Sequence, residues 1–118
     1  MTDEVTHTEE DFYEIMKESK LGRDWLIWHK KNPDFFRLFE RFTSEALRNG
    51  HQRLSGWFIV NRVRWETTVV TVGDDFKIRN DYIALFTRLY MVCHPEHFGF
   101  FRTKKMKNLV RDIFAQST

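Results

Sequence analysis

Apolar residues recur three and four positions apart along most of this sequence, which is the spacing of amphipathic helices. The clearest case follows Asn32-Pro33, where a capping residue and a first-turn proline precede a phenylalanine-rich stripe that ends at Gly50. A second clear start is Ser55, which is followed by apolar residues as far as Trp65. The predicted helices are 9–19, 24–31, 33–49, 55–65, 81–94 and 103–114.

Residues 67–78 have a different pattern, which favours a small β-hairpin. Residues 67–72 are all threonine or valine, and β-branched side chains favour strands. Gly73-Asp74-Asp75 has turn chemistry, and Phe76-Lys77-Ile78 alternates like a short return strand. The predicted fold class is therefore mostly α: a small compact helical domain of about six helices with one two-stranded β-hairpin, loosely winged-helix-like.

Charge is unevenly distributed along the 118 residues, although the net charge is only +2. Residues 1–19 hold seven acids and one base, whereas the other 99 residues hold 18 bases and 10 acids. We therefore divide the chain into an acidic N-terminal helical arm, residues 1–22, and a basic helical domain with the hairpin, residues 23–118, as a single folding unit. A basic body indicates an anionic partner. Alternatively, the acidic segment docks on the basic body or is simply solvated.

The single cysteine, the first residues and the lengths of the apolar runs indicate the cellular compartment. Cys93 is the single cysteine and has no internal disulfide partner, which fits a reducing compartment. The first residues are acidic instead of resembling a signal peptide, and no apolar run approaches the roughly 18 residues of a membrane span. We expect a cytoplasmic protein with no membrane partner.

The strongest candidate for chemistry is a cluster of five bases, with no acid among them, in residues 102–111. On the last predicted helix, Lys104, Lys105, Lys107 and Arg111 lie opposite the apolar stripe, with Arg102 just ahead of the helix. There they could follow the phosphates of a nucleic acid and release its counterions. The alternative is an ordinary solvated helix face whose cations favour the helix dipole.

A second basic group surrounds the predicted hairpin and would grip the DNA backbone in a winged-helix arrangement. Asn80 is either a base-reading residue or a helix cap, and Trp65 is interpreted as a core residue. Arg88 also belongs to this group as a candidate phosphate contact. The full set of predicted nucleic-acid-binding residues is Arg62, Arg64, Lys77, Arg79, Arg102, Lys104, Lys105, Lys107 and Arg111.

Catalytic and metal motifs are weak. His94-Pro95-Glu96-His97 is not the His-Glu-x-x-His pattern, and Pro95 disrupts the helix that would align two ligands on one face. Cys93 follows an apolar stretch, where a thiol packs as a small hydrophobic group. Asp74-Asp75 is explained as turn chemistry. We expect no enzyme, no cofactor and no metal site.

Between Asn32 and about Lys104, the sequence contains Phe39-Glu40-Arg41-Phe42, Arg62-Val63-Arg64-Trp65-Glu66-Thr67, Asp75-Phe76-Lys77-Ile78 and Asn80-Asp81-Tyr82, followed by His94-Pro95-Glu96 and Gly99-Phe100-Phe101. In this pattern the region resembles a family of small proteins of phages, prophages and bacterial genomes. The resemblance implies a compact helical domain with a small hairpin in a mobile-element context, and it supplies no catalytic residues.

Two functions are consistent with these patterns. The first is a non-catalytic nucleic-acid-binding accessory protein of phage or mobile-element type, with DNA favoured over RNA. The alternative is a protein-interaction module, such as a phage-encoded inhibitor of a host defence protein of CRISPR or restriction type. In that case the acidic segment would imitate phosphate, and exposed Trp25, Trp28 or Trp57 would anchor the partner.

Overall fold

The computed structural model describes residues 8–67 and 77–112, and their regular elements are helices. These are α1 (Glu9–Met16), α2 (Lys20–Lys31), α3 (Pro33–Arg48), α4 (Gly56–Trp65) and α5 (Asn80–Cys93), followed by a short 3₁₀ turn (Pro95–His97). Within this part of the chain, no helix has the length and apolar character that crossing a membrane requires.

Local capping signals set several helix ends. Thr8 and Asp11 form a reciprocal capping box at the start of α1, with both hydrogen bonds 3.0 Å long. The Ser55 hydroxyl accepts a hydrogen bond from the Phe58 N–H at 3.2 Å and so caps α4. Gly50 ends α3 with a φ of 92°, a conformation that other residues rarely adopt.

Helix α5 forms the centre of the core, and ten of its residues are buried. Phe86 is fully buried, and aromatic rings from α2 and α3 surround it. Its ring centroid lies 5.3 Å from that of Trp25, 5.7 Å from that of Trp28 and 4.7 Å from that of Phe35. Aromatic pairs at these separations add to the stability that burial of their area provides.

Helix α1 packs into this same core, although its sequence is acidic. Phe12, Ile15 and Met16 are buried, whereas Glu10 and Glu14 are exposed. The turn into α2 requires Gly22, because a Cβ atom there would lie 2.0 Å from the Met16 carbonyl oxygen. The described residues of the acidic segment thus share a core with the basic body.

The predicted fold class is wrong in its strands. The described part of the chain contains no strand and is all-helical, and the described ends of the predicted hairpin, Thr67 and residues 77–78, lie in no strand, so the hairpin and the winged-helix likeness are not supported. Residues 68–76 of the predicted hairpin lie outside the described residues. At the border, the Thr67 hydroxyl donates to the carbonyl oxygens of Val63 and Arg64, which extends the last turn of α4. A β-branched run favours a strand only where a neighbouring strand can pair with it, and an isolated hairpin is marginal.

The sixth predicted helix, 103–114, is also wrong, because residues 103–112 are irregular and residues 113–114 lie outside the described part. Backbone N–H groups that a helix would pair internally are bonded to side chains instead. The Met106 N–H donates to Asp112 at 3.0 Å, and the Val110 N–H donates to the Ser19 hydroxyl at 2.6 Å. Five α-helices therefore make up the described fold, where six were predicted.

Candidate nucleic-acid interface

A groove of about 280 Å³ lies where the N-terminal ends of α4 and α5 meet the irregular segment after residue 101. We call it the basic groove. Its lining has four bases and no Asp or Glu among the described residues. The lining consists of Gly56, Trp57, Asn80, Ile83, Ala84, Thr87, Arg88, Arg102, Thr103, Lys104, Lys105 and Met106.

Gly56 allows α4 and α5 to approach closely at the floor of the groove. A Cβ atom at this position would lie 2.6 Å from Cγ2 of Thr87 and 2.9 Å from Cγ2 of Ile83. Both distances are shorter than a van der Waals contact, so a larger residue would force α4 and α5 apart. The shape of the groove therefore depends on a glycine at the first position of α4.

Hydrogen bonds from Arg88 attach the irregular segment, residues 102–112, to α5. Its side chain is 2% exposed, and its Nε and Nη2 atoms each lie 2.7 Å from an oxygen of Asp112, which is 3% exposed. Nη2 also donates to the Lys104 carbonyl oxygen at 2.6 Å, and Nη1 donates to the Ala84 carbonyl oxygen at 3.0 Å. The guanidinium is thus used inside the fold, contrary to its predicted role as a phosphate contact.

The same segment presents its other cations to solvent. Thr103 is buried, whereas Arg102, Lys104 and Lys105 are exposed at the groove, and Lys107 is exposed just beyond it. Within the described residues, these four bases make no ion pair. Adjacent cations without counterions create a positive potential that attracts phosphate.

Trp57 and the two helix starts complete the groove. The Trp57 side chain is 42% exposed. Its position in the first turn of α4 places it among N–H groups that have no partner within the helix. Asn80 is the first residue of α5, and Arg79 before it makes no side-chain cap hydrogen bond. The start of α4 has no acidic residue in its first turn, so its partial positive charge adds to that of the lysines, whereas Asp81 in the first turn of α5 offsets the charge there.

The predicted bases around the hairpin do not join this groove. Arg62 lies 3.1 Å from Glu66 and stacks over the Phe42 ring at 4.2 Å, on the wall of a separate pocket. Arg79 contacts Asp81 at 2.7 Å, and this hydrogen bond raises the pKa of the guanidinium. Arg64 is half-buried and Lys77 is exposed, and neither lines the groove.

Arg111 is also engaged, through a bidentate ion pair with Glu18. Its Nε and Nη2 atoms lie 2.9 and 2.7 Å from the two carboxylate oxygens. The hydrogen bond from Arg111 holds the pKa of Glu18 below its ordinary value. The contact between Arg111 and Glu18 therefore agrees with the alternative in which the acidic segment docks on the basic body.

Several residues that form the groove were not identified from the sequence. Trp57 was considered only as a protein anchor, and the Arg88–Asp112 pair was not anticipated, although Arg88 visibly interrupts the apolar run from Leu85 to Cys93. Trp65 is 58% exposed, so its predicted place in the core is wrong. Of the other proposed anchors, Trp25 is fully buried and Trp28 is half-buried. Asn80 is the first helical residue and not the cap.

The cysteine environment disfavours a nucleophile. The Cys93 thiol donates to a carboxylate oxygen of Glu9 at 3.1 Å. Burial, together with this hydrogen bond and the nearby negative charge, raises the pKa of the thiol. A thiol that stays protonated is a poor nucleophile.

Comparisons with protein-family models, with curated proteins and with solved structures found no significant match to this chain. The resemblance to phage and prophage proteins stays a prediction. The residues and charges of the basic groove are therefore the basis for proposing a function.

Proposed function

We propose that this protein binds nucleic acid without catalysing a reaction, and that the basic groove holds the phosphate backbone. The observation that carries the proposal is the set of exposed cations at the groove, Arg102, Lys104 and Lys105, which have no carboxylate beside them in the described lining. Each phosphate contact would release condensed counterions and add affinity. The accessory role in a cytoplasmic, phage or mobile-element setting is part of this proposal.

Trp57 favours a single strand as the ligand. An exposed ring beside a cationic track is the combination by which proteins bind unpaired strands, because any base can stack on the ring while its phosphates meet the lysines. A duplex offers no free base face to Trp57. We therefore propose single-stranded DNA as the preferred ligand, with RNA second.

Fluorescence anisotropy tests this proposal. Labelled single- and double-stranded DNA and RNA of equal length are titrated with the protein at low and moderate salt. We expect the single strand to bind most tightly and its affinity to fall steeply with salt, since counterion release dominates. Absence of binding to all four ligands at low salt would exclude the nucleic-acid function.

A protein-interaction module is the second candidate, supported by a different surface. A groove of about 720 Å³ lies between α1 and α2, and its lining includes Tyr13 and Leu26 with Glu14 and Lys30. An apolar floor between charges of both signs suits an amphipathic helix of a partner, such as a host defence protein. Under this function, Leu26→Glu would abolish capture of the partner and leave nucleic-acid affinity unchanged. If Leu26→Glu instead lowered nucleic-acid affinity and left capture of the partner unchanged, the protein-interaction function would be rejected.

A further inference from the structure

Two histidines and a carboxylate converge just after α5, at the end opposite the basic groove. One donor atom from each of His94, Glu96 and His97 can be chosen so that all three lie within 4.8 Å of one another. His94 Nδ1 lies 3.8 Å from a carboxylate oxygen of Glu96. The two imidazole rings are nearly parallel, with an interplanar angle of 20° and centroids 5.9 Å apart.

The 3₁₀ turn explains why these side chains meet although the sequence lacks a helical histidine pair. The turn Pro95–His97 begins after His94, and the His97 N–H donates to the His94 carbonyl oxygen at 2.9 Å. A 3₁₀ helix has three residues per turn, so side chains at positions i and i+3 lie one above the other. Pro95, which ends α5, thus aligns the two rings instead of separating them.

Each ring is held by a hydrogen bond on one nitrogen. His94 Nε2 lies 2.7 Å from a carboxylate oxygen of Glu40 on α3, and His97 Nδ1 lies 2.8 Å from the Tyr90 hydroxyl on α5. Histidine ligands of metals usually have such a partner on the nitrogen that does not bind the metal, because it fixes the tautomer and the ring orientation. These two contacts leave His94 Nδ1 and His97 Nε2 as the nitrogens that could bind a metal ion.

We propose that His94, Glu96 and His97 form a binding site for a divalent transition-metal ion such as Zn²⁺, with Glu40 and Tyr90 as its outer hydrogen-bonding partners. Two imidazoles and one carboxylate are a common ligand set for such ions, with a remaining position for water. Ligand atoms about 2.1 Å from a tetrahedral zinc ion lie roughly 3.4 Å apart. The Glu96 side chain is 63% exposed, so its rotation can bring its oxygen to this distance.

Calorimetric titration of the full chain with Zn²⁺ tests the site, and Co²⁺ serves as a spectroscopic probe. We expect one ion per chain, an upward shift of Tm with Zn²⁺, and visible Co²⁺ absorption of the intensity typical of four-coordinate sites. Glu96→Gln and His97→Ala should each abolish all three results. Circular dichroism of the metal-free variants checks that they are folded, and because Glu96 is exposed, its variant tests the site even if His97→Ala unfolds the chain.

Two further variants separate a built site from adventitious binding by surface histidines. Glu40→Gln should weaken Zn²⁺ binding about 10- to 100-fold, because it alters the partner of His94 without removing a ligand. His51→Ala removes an exposed histidine outside the cluster and should leave the affinity unchanged. The proposal is overturned if the wild-type chain binds no Zn²⁺, or if His51→Ala lowers the affinity as much as Glu96→Gln does.

Discussion

The two halves of the last described segment, residues 102–107 and 108–112, differ in charge and in their surroundings. In residues 102–107, Arg102, Lys104 and Lys105 are exposed at the basic groove. In residues 108–112, Arg111 is bound by Glu18, and Asp112 is bound by Arg88. The basic side chains of the first half are exposed, whereas the charged side chains of the second half attach the segment to the fold. The sequence does not reveal the role of the second half, because Glu18 and Arg88 lie far from residues 108–112 along the chain.

The two ion pairs of the second half also differ from each other. The side chains of Arg88 and Asp112 are 2% and 3% exposed, whereas those of Arg111 and Glu18 are 55% and 38% exposed. Removing one partner of a buried pair leaves an uncompensated charge in the interior. An exposed pair is replaced by water at little cost. The buried pair should therefore govern whether the groove exists at all.

The largest effect is expected from Asp112→Ala. The change leaves the Arg88 guanidinium buried without its carboxylate and removes the acceptor for the Met106 N–H. We expect the free energy of unfolding to fall by about 3–5 kcal/mol, measured by urea denaturation. Nucleic-acid affinity should fall as well, because the segment that carries the lysines loses its anchor.

The double variant Arg88→Met with Asp112→Leu is the matched control, because it removes both charges together. Replacing a buried ion pair by apolar residues is often close to neutral, so this variant should recover most of the lost stability. If Asp112→Ala costs less than about 1 kcal/mol, which is the range of surface pairs, the pair is not the anchor described here.

Trp57→Ala is expected to have an intermediate effect, on binding alone. Loss of one stacked base should weaken binding of single-stranded DNA by about 1–3 kcal/mol, whereas duplex binding should change little. Trp65→Ala is the control, since Trp65 is also exposed but does not line the groove. Anisotropy titrations give both affinities. Equal losses from the two tryptophan variants would contradict a stacking role for Trp57.

The smallest effect is expected from the exposed pair, through Glu18→Gln. Because the pKa of Glu18 is lowered in the folded state, the stabilisation by this carboxylate is present above its ordinary pKa of 4.5 and is lost as the pH falls through the folded value. Wild type should therefore exceed the variant slightly in Tm near neutral pH, and the difference should vanish in acid. A difference that grows as the pH falls would reverse the assigned sign.

Helices with strong local signals were predictable from the sequence. Helix α3 begins at Pro33 and ends before Gly50 as expected, because a proline start and a left-handed glycine act within one turn. The hairpin and the sixth helix were predicted from propensity and periodicity alone. In residues 103–112 those preferences are overridden by hydrogen bonds to Ser19, Arg88 and Asp112, which no local pattern reveals.

The candidate site was only partly predictable for the same reason. Arg102, Lys104 and Lys105 were identified by their density in the sequence, although they lie on an irregular segment instead of a helix face. Arg62, Arg79 and Arg111 were equally good candidates until their carboxylate partners were known. Trp57 joins the groove only because Gly56 brings α4 against α5, and that approach depends on the tertiary fold.

The salt dependence of single-stranded DNA binding in a matched pair of double variants tests the central claim most directly. Lys104→Ala with Lys105→Ala removes two groove cations, whereas Lys30→Ala with Lys31→Ala removes two exposed cations of α2 with the same change in net charge. For the groove variant, the slope of log affinity against log salt should become shallower by about 0.7 for each phosphate that is no longer neutralised, while the α2 variant keeps the wild-type slope. Equal slopes for the two variants would contradict the account.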